Sequence, residues 1–205
     1  MNKIFNLSMN KTATCSTNDL LKACGINSVH SVESPLCLAE QFDAFNDGNH
    51  IDKFKEYYEH YPDALFLLNT RPLQDWIRSR FKHGLEIASI KKQKINWAYP
   101  ASETLALNWT ARRRYHHHSV LDFFRDKPSQ LLVCNIDNPV WQKAILKFLE
   151  VDKEMLPIVV NNRHIENNNI QNVMNNLKNN ASYNKNELLF PDFDPINYSM
   201  LQMYL

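Results

Sequence analysis

Apolar positions Ile4, Phe5, Leu7 and Met9 punctuate the start of the chain and predict a short strand over Lys3 to Met9. A helix is predicted from Ser16 to Cys24, where Leu20, Leu21 and Cys24 share a face. Ser16, Thr17 or Asn18 can cap its start, and Gly25 stands where a helix C-terminal glycine belongs. Ser28 to Ser31 reads as a short second strand, and Ser34 to Asn49 is mixed, with the turn-like Asn46-Asp47-Gly48. Phe54, Tyr57, Tyr58 and Tyr61 form the clearest helical stripe, inside Ile51 to Tyr61. The run Ala64 to Leu68 is continuously apolar, as a parallel strand covered on both faces requires. Helices are predicted from Pro72 to Lys82, Ser102 to Arg125 and Val140 to Leu149, with a buried strand at Leu131 to Cys134. This alternation predicts an α/β fold: a three-layer α/β/α arrangement with a mainly parallel central sheet over residues 1–165. Residues 166–205 read as an Asn-rich, helical or irregular extension packed on the same domain; within the asparagine-crowded segment from Asn161 to Asn186, Ile165, Ile170, Val173, Met174 and Leu177 can line one helix face.

Composition narrows the functional classes. A chain of 205 residues, 44% hydrophobic, can bury one substantial core. Its 23 Lys and Arg against 22 Asp and Glu, with no long run of one sign, argue against a broad grip on nucleic acid or an anionic membrane. The N-terminus lacks a signal peptide's apolar segment, and no stretch is long and apolar enough to span a bilayer. Cys15, Cys24, Cys37 and Cys134 show no CxxC spacing, so the expectation is a reduced, cytoplasmic protein without a metal site. The chain holds only three glycines, Gly25, Gly48 and Gly84, which excludes the glycine-rich dinucleotide and ATP cradles in their usual forms.

Ligands of an open α/β sheet sit outside the carboxyl ends of its strands. The first strand runs into Asn10-Lys11-Thr12-Ala13-Thr14-Cys15-Ser16 and then a helix, so hydroxyls and a lysine gather at a positive helix end. Lys11 precedes the small residue instead of following a last glycine, which argues against a Walker loop. The strand Ala64 to Leu68 leads into Asn69-Thr70-Arg71, with a cation where an NTPase would more usually carry a magnesium-binding aspartate. Ser79 follows eight residues later, on the next helix, and can present a hydroxyl to the same anion.

These residues resemble the sulfotransferase family. Lys11-Thr12-Ala13-Thr14-Cys15-Ser16 is similar to its 5′-phosphosulfate loop, and Asp63 to Pro72 with Trp76 and Ser79 to its 3′-phosphate motif. Tyr115 to His118, then Val120 and Phe123-Phe124, resembles its Tyr-x-x-His helix. Likeness extends through the strand at Leu131 to Ile136, Trp141 and Phe148-Leu149, so that it covers Ile4 to Asn167. The resemblance implies a P-loop NTPase-like sulfotransferase fold, the donor 3′-phosphoadenosine 5′-phosphosulfate, a small-molecule or glycan acceptor and no metal. It places Lys11 on the bridging oxygen and sulfonate, Thr12, Ala13, Thr14, Cys15 and Ser16 on the 5′-phosphate, and Arg71 and Ser79 on the 3′-phosphate. Ala13 stands in place of the family's glycine and Cys15 in place of a Ser or Thr, while the Lys-Gly run near the C-terminus has no match.

An acceptor must also lose a proton. Within the window that the resemblance indicates, Asp43 and Asp47 are the leading candidates for the base, followed by Glu40, His30 and His50. The triple His116-His117-His118 cannot ligate one ion, because neighbours on a helix point about 100° apart; by family pattern His118 is the one that faces inward. Arg112-Arg113-Arg114 likewise fans around the helix and reads as a solvated face, with room for one arginine on the nucleotide's 3′ side. Tyr57, Tyr58 and Trp76 read as core. The expected assembly is a monomer or homodimer. The alternatives are a sulfotransferase-fold binding protein without transferase activity and an ATP-using kinase-like enzyme.

Overall fold

The computed structural model describes residues 2–48, 50–91, 101–152, 168–178 and 196–197, with 88–91 and 196–197 described by backbone alone. In chain order the elements are β1 (Ile4–Asn6), α1 (Thr14–Ala23), β2 (Ser28–His30), β3 (Ala44–Asn46), α2 (Phe54–His60) and β4 (Leu65–Thr70). They continue as α3 (Leu73–Lys91), α4 (Glu103–Phe123), β5 (Leu131–Asn135), α5 (Trp141–Phe148), α6 (Asn168–Leu177) and β6 (Ile196–Asn197). The sheet order is β2-β3-β1-β4-β5-β6, with the first five strands parallel and β6 antiparallel at the edge. The fold is α/β with a parallel central sheet, as the alternation of elements predicts. Ile165 lies outside the described residues.

The described residues form two compact units. One takes those of Met1–Thr70, His118–Val160 and Asp192–Leu205; the other takes those of Arg71–His117 and Asn161–Pro191. In the first unit, side chains alternate between the two faces of the sheet, as a strand's two-residue period demands. Ile4, Ala44, Leu67, Leu132 and Cys134 pack with Leu20 and Leu21 of α1 and with Trp141, Ile145 and Leu146 of α5. On the alternate positions, Phe5 stacks on Phe45, Phe66 and Tyr57 of α2, and Phe66 meets Phe124 just beyond α4. One face is therefore mainly aliphatic, with Trp141 among its residues, and the other mainly aromatic.

In the second unit α6 packs on α3 and buries Ile170, Met174 and Leu177, while Asn176 Nδ2 donates to Glu103 Oε1 (2.6 Å). Ser102 Oγ accepts the Leu105 N–H (3.2 Å), so the predicted start of α4 is a side-chain cap. The helix predicted to end at Lys82 runs on to Lys91 as α3. No helix among the described residues is long and apolar enough to cross a membrane.

Candidate functional site

The strands β1, β2, β3 and β4 end together at the carboxyl edge of the sheet, and the segment between β1 and α1 crosses that edge. Lys11 (φ 69°) and Ala13 (φ 61°) both adopt left-handed backbone, which costs a non-glycine residue about 1 kcal/mol each. Ala13 is the N-cap of α1 and offers no side-chain hydrogen bond. The first helical bond runs from the Thr17 N–H to the Ala13 carbonyl (2.9 Å), so the N–H groups of Thr14, Cys15 and Ser16 precede the intrahelical ladder. Lys11 adds a full positive charge beside that end. A helix start with three N–H groups outside the helical ladder, no capping side chain and an adjacent lysine has the chemistry to take an anion.

Beneath the loop runs a buried relay of amides and hydroxyls. Asn6 Nδ2 donates to Asn46 Oδ1, Asn46 Nδ2 to Ser28 Oγ, and Ser28 Oγ to Asn18 Oδ1, each at 2.9 Å. Asn6 Oδ1 accepts from the Ser8 N–H (3.1 Å) and from Ser8 Oγ, which in turn accepts the Asn69 N–H. Asn69 Nδ2 donates to Thr17 Oγ1 (2.8 Å), and Thr17 Oγ1 donates to the Ala13 carbonyl (3.0 Å). The relay thus links the start of β2 to the carboxyl ends of β3, β1 and β4 and ends on the strained residue of the loop. Only Asn69 Oδ1 within it lacks a partner.

His30 is where the carboxyl ends of β2 and β3 meet the loop. Its Nε2 lies 3.2 Å from Thr14 Oγ1, 3.2 Å from Cys15 Sγ and 3.5 Å from Asp47 Oδ2, while Nδ1 is 2.8 Å from Ser31 Oγ. In the tautomer with the proton on Nδ1, Ser31 Oγ accepts it and Nε2 presents a lone pair to the loop. Asp47 has left-handed backbone (φ 57°), and its Oδ1 accepts the Gly48 N–H (2.9 Å). Burial pushes the Cys15 thiol up, and the Asp47 carboxylate adds to this against Lys11, so Cys15 stays a neutral thiol within the loop.

Asp43 is placed elsewhere. It precedes β3, at the amino end of that strand, and its Oδ1 pairs with Lys3 Nζ (3.3 Å), which also donates to the Phe42 carbonyl (3.0 Å). The strand runs away from Asp43 toward Asp47, so the structure brings Asp47 and His30 to the loop and leaves Asp43 at the opposite edge. Glu40 is exposed in the segment before it. His50 is fully buried, donates from Nδ1 to the Val32 carbonyl (3.2 Å), and desolvation holds its ring below the ordinary histidine value. It braces the turn: an added Cβ on Gly48 (φ +134°) would stand 2.5 Å from that carbonyl and 2.7 Å from His50 Nδ1.

In the second unit, Arg71 follows β4 directly, and Ser79 lies in the second turn of α3, partly buried. Arg113 Nη2 donates to the Arg71 carbonyl (2.6 Å). The Arg113 guanidinium lies over Trp76 (5.2 Å), and Arg80 lies over both Trp76 (5.1 Å) and Trp109 (4.3 Å). Arg112 and Arg114 are solvated as expected, but Arg113 is buried at 5% exposure. The histidines also depart from expectation: His116 and His117 are buried and His118 is exposed. The inward stripe of α4 runs Ala106, Thr110, Arg113, His117, Val120, and its polar members hide it from a hydropathy reading.

Among the described residues, no group of three or more His, Cys, Asp or Glu side chains is placed to hold a metal ion. Residues 36–131 match the family described as the sulfotransferase domain. The match includes Asp47, Arg71, Ser79 and Arg113 and begins after the Lys11 loop and His30. Comparison with curated proteins finds no match.

Proposed function

We propose that the sulfotransferase domain moves a sulfonate group from 3′-phosphoadenosine 5′-phosphosulfate to a hydroxyl or amine of a small-molecule or glycan acceptor. The observation that carries this reading is the uncapped first turn of α1 beside Lys11, in a chain whose residues 36–131 match the sulfotransferase domain. Backbone N–H groups and hydroxyls from Thr12 to Ser16 hold the 5′-phosphate, and Lys11 stabilises charge on the leaving oxygen. Arg71 and Ser79 hold the 3′-phosphate. The reaction asks for in-line positioning and for removal of one proton from the acceptor.

His30 is the base in this reading. Its Nε2 faces the loop, and Asp47, 3.5 Å away, stabilises the imidazolium that forms once the acceptor proton arrives. Asp47 acts through His30, so the candidate pair is His30 and Asp47, with Asp43 tied to Lys3. Left-handed Ala13 supports a working loop despite the missing glycine, because the residue already adopts the backbone that glycine would supply. We place the reaction in the cytoplasm, by a monomer or homodimer.

Calorimetric titration with adenosine 3′,5′-bisphosphate in a chelator, and with ATP plus magnesium, tests the donor. The bisphosphate should bind without metal, and Arg71→Ala should weaken it by about 2 kcal/mol, as expected for a charge-assisted contact. Preferential binding of ATP with magnesium would overturn the reading. His30→Gln should keep bisphosphate affinity and lose transfer on a phenol and amine acceptor panel by about 100-fold or more. Donor binding with no turnover by the unsubstituted chain on any acceptor would leave a binding protein of the same fold.

A further inference from the structure

We propose that Arg113 is the positioning residue for Arg71, and that selectivity for a 3′-phosphorylated nucleotide depends on Arg113 although its role is to hold the backbone. The inference rests on the donor reading above and concerns contacts within the second unit alone.

Arg71 is held from two sides. Pro72 follows it, and a residue before proline is driven to extended backbone by the pyrrolidine ring. Arg113 Nη2 then takes the Arg71 carbonyl at 2.6 Å, fixing the orientation of that peptide plane. The donor is itself fixed. Arg113 is buried at 5% exposure, and its guanidinium lies 5.2 Å from the Trp76 ring, so a planar fork is seated on an indole while one of its N–H groups reaches the carbonyl. Trp76 is fully buried and carries Arg80 at 5.1 Å; Arg80 also lies 4.3 Å from Trp109, which packs against Phe81 (4.9 Å). The seat of Arg113 is therefore part of a packed stack.

A side chain launched from a fixed backbone loses less freedom when it captures its ligand, which is the general advantage of preorganisation. Lysine cannot replace Arg113 in this role: it keeps the charge but has no planar fork to rest on the indole and reach the carbonyl together. A general contribution of positive charge would survive Arg113→Lys, whereas a positioning role would not.

The test is calorimetry on the full chain with adenosine 3′,5′-bisphosphate and with adenosine 5′-phosphate, for the unsubstituted protein, Arg113→Lys, Arg113→Met, Arg71→Ala and the Arg71→Ala/Arg113→Lys double variant. Arg113→Lys should weaken the bisphosphate about tenfold and change adenosine 5′-phosphate by less than about twofold, with Arg113→Met at least as selective in its loss. In the Arg71→Ala background, Arg113→Lys should add nothing, because the group it positions is gone. Equal losses for both ligands would mean a merely structural role and would overturn the proposal, as would a tenfold loss that persists without Arg71. A preference for the bisphosphate in the unsubstituted protein that both Arg113 variants retain would overturn it while leaving the donor reading intact. No preference in the unsubstituted protein would overturn the donor reading, and the proposal with it.

Discussion

The two units handle polar groups in opposite ways. Under the Lys11 loop the buried polar atoms are neutral amides and hydroxyls, each donor matched to an acceptor from Ser28 to Ala13. In the second unit a charged group goes inside: the buried Arg113 guanidinium lies over Trp76 with a backbone carbonyl as acceptor, and the half-buried Arg80 lies over Trp76 and Trp109. Neutral groups can be buried at modest cost when every bond is made, and they fix geometry without adding charge. Guanidinium groups keep their charge wherever they sit and are weakly hydrated, so an aromatic stack can carry them inward. The relay is accordingly sensitive to shape and bond matching, and the stack to the planarity of its cations.

The largest expected effect tests shape on the relay side. Gly48→Ala forces a Cβ against the Val32 carbonyl and His50 at a backbone that only glycine adopts comfortably, and should cost about 3 kcal/mol in urea unfolding. Thr17→Val comes next. It leaves Asn69 Nδ2 without its acceptor and the Ala13 carbonyl without its hydroxyl donor, at about 2 kcal/mol, and Thr17→Ser should restore most of the loss. Arg80→Lys, which disturbs the stack but retains charge, should cost only about 1 kcal/mol; a loss exceeding that of Thr17→Val would reverse the contrast drawn between the units.

Two smaller effects sharpen the description of the first unit. Ala13→Gly relieves left-handed strain but frees the unfolded chain, so stability should rise by no more than about 0.5 kcal/mol while bisphosphate affinity is retained. His50 gives a pH slope. Burial lowers its folded-state value, so the unfolded chain takes up the proton first. Its contribution to stability is complete above the ordinary value of about 6.5 and is lost as pH falls below that toward the folded value. His50→Asn keeps an N–H for the Val32 carbonyl and removes the titration; unfolding midpoints at about pH 7.5 and about pH 5 should then differ less than in the unsubstituted chain.

Legibility varied with the kind of signal each segment carries. The strand Leu65–Thr70 and the strand Leu131–Asn135 announce themselves because a strand buried on both faces must be apolar throughout. The three-residue β3 lies in a segment of mixed pattern, too short to show a period, and belongs to the sheet because β1 and β2 flank it. The charge and hydroxyls from Lys11 to Ser16 are legible in the sequence, and the structure sets them in the segment between β1 and the first turn of α1. Asp43 and Asp47 looked equivalent, being four residues apart on either side of Ala44–Asn46; a parallel strand between them sends one to each edge of the sheet. Arg113, His116 and His117 looked solvated, since polarity conceals an inward stripe of α4.

The amino-acid sequence by itself determined the α/β class, the place of Lys11 between the first strand and the first helix and the placing of an arginine at the end of β4, because these follow from local periodicity and from which charges stand beside which element ends. The tertiary structure alone decided that His30 and Asp47 meet at the loop, that Asn69 reaches Ala13 through Thr17, and that Arg113 holds the Arg71 carbonyl. Each of those contacts joins residues from separate elements, and their meeting is set by strand order and helix packing, which no local pattern encodes.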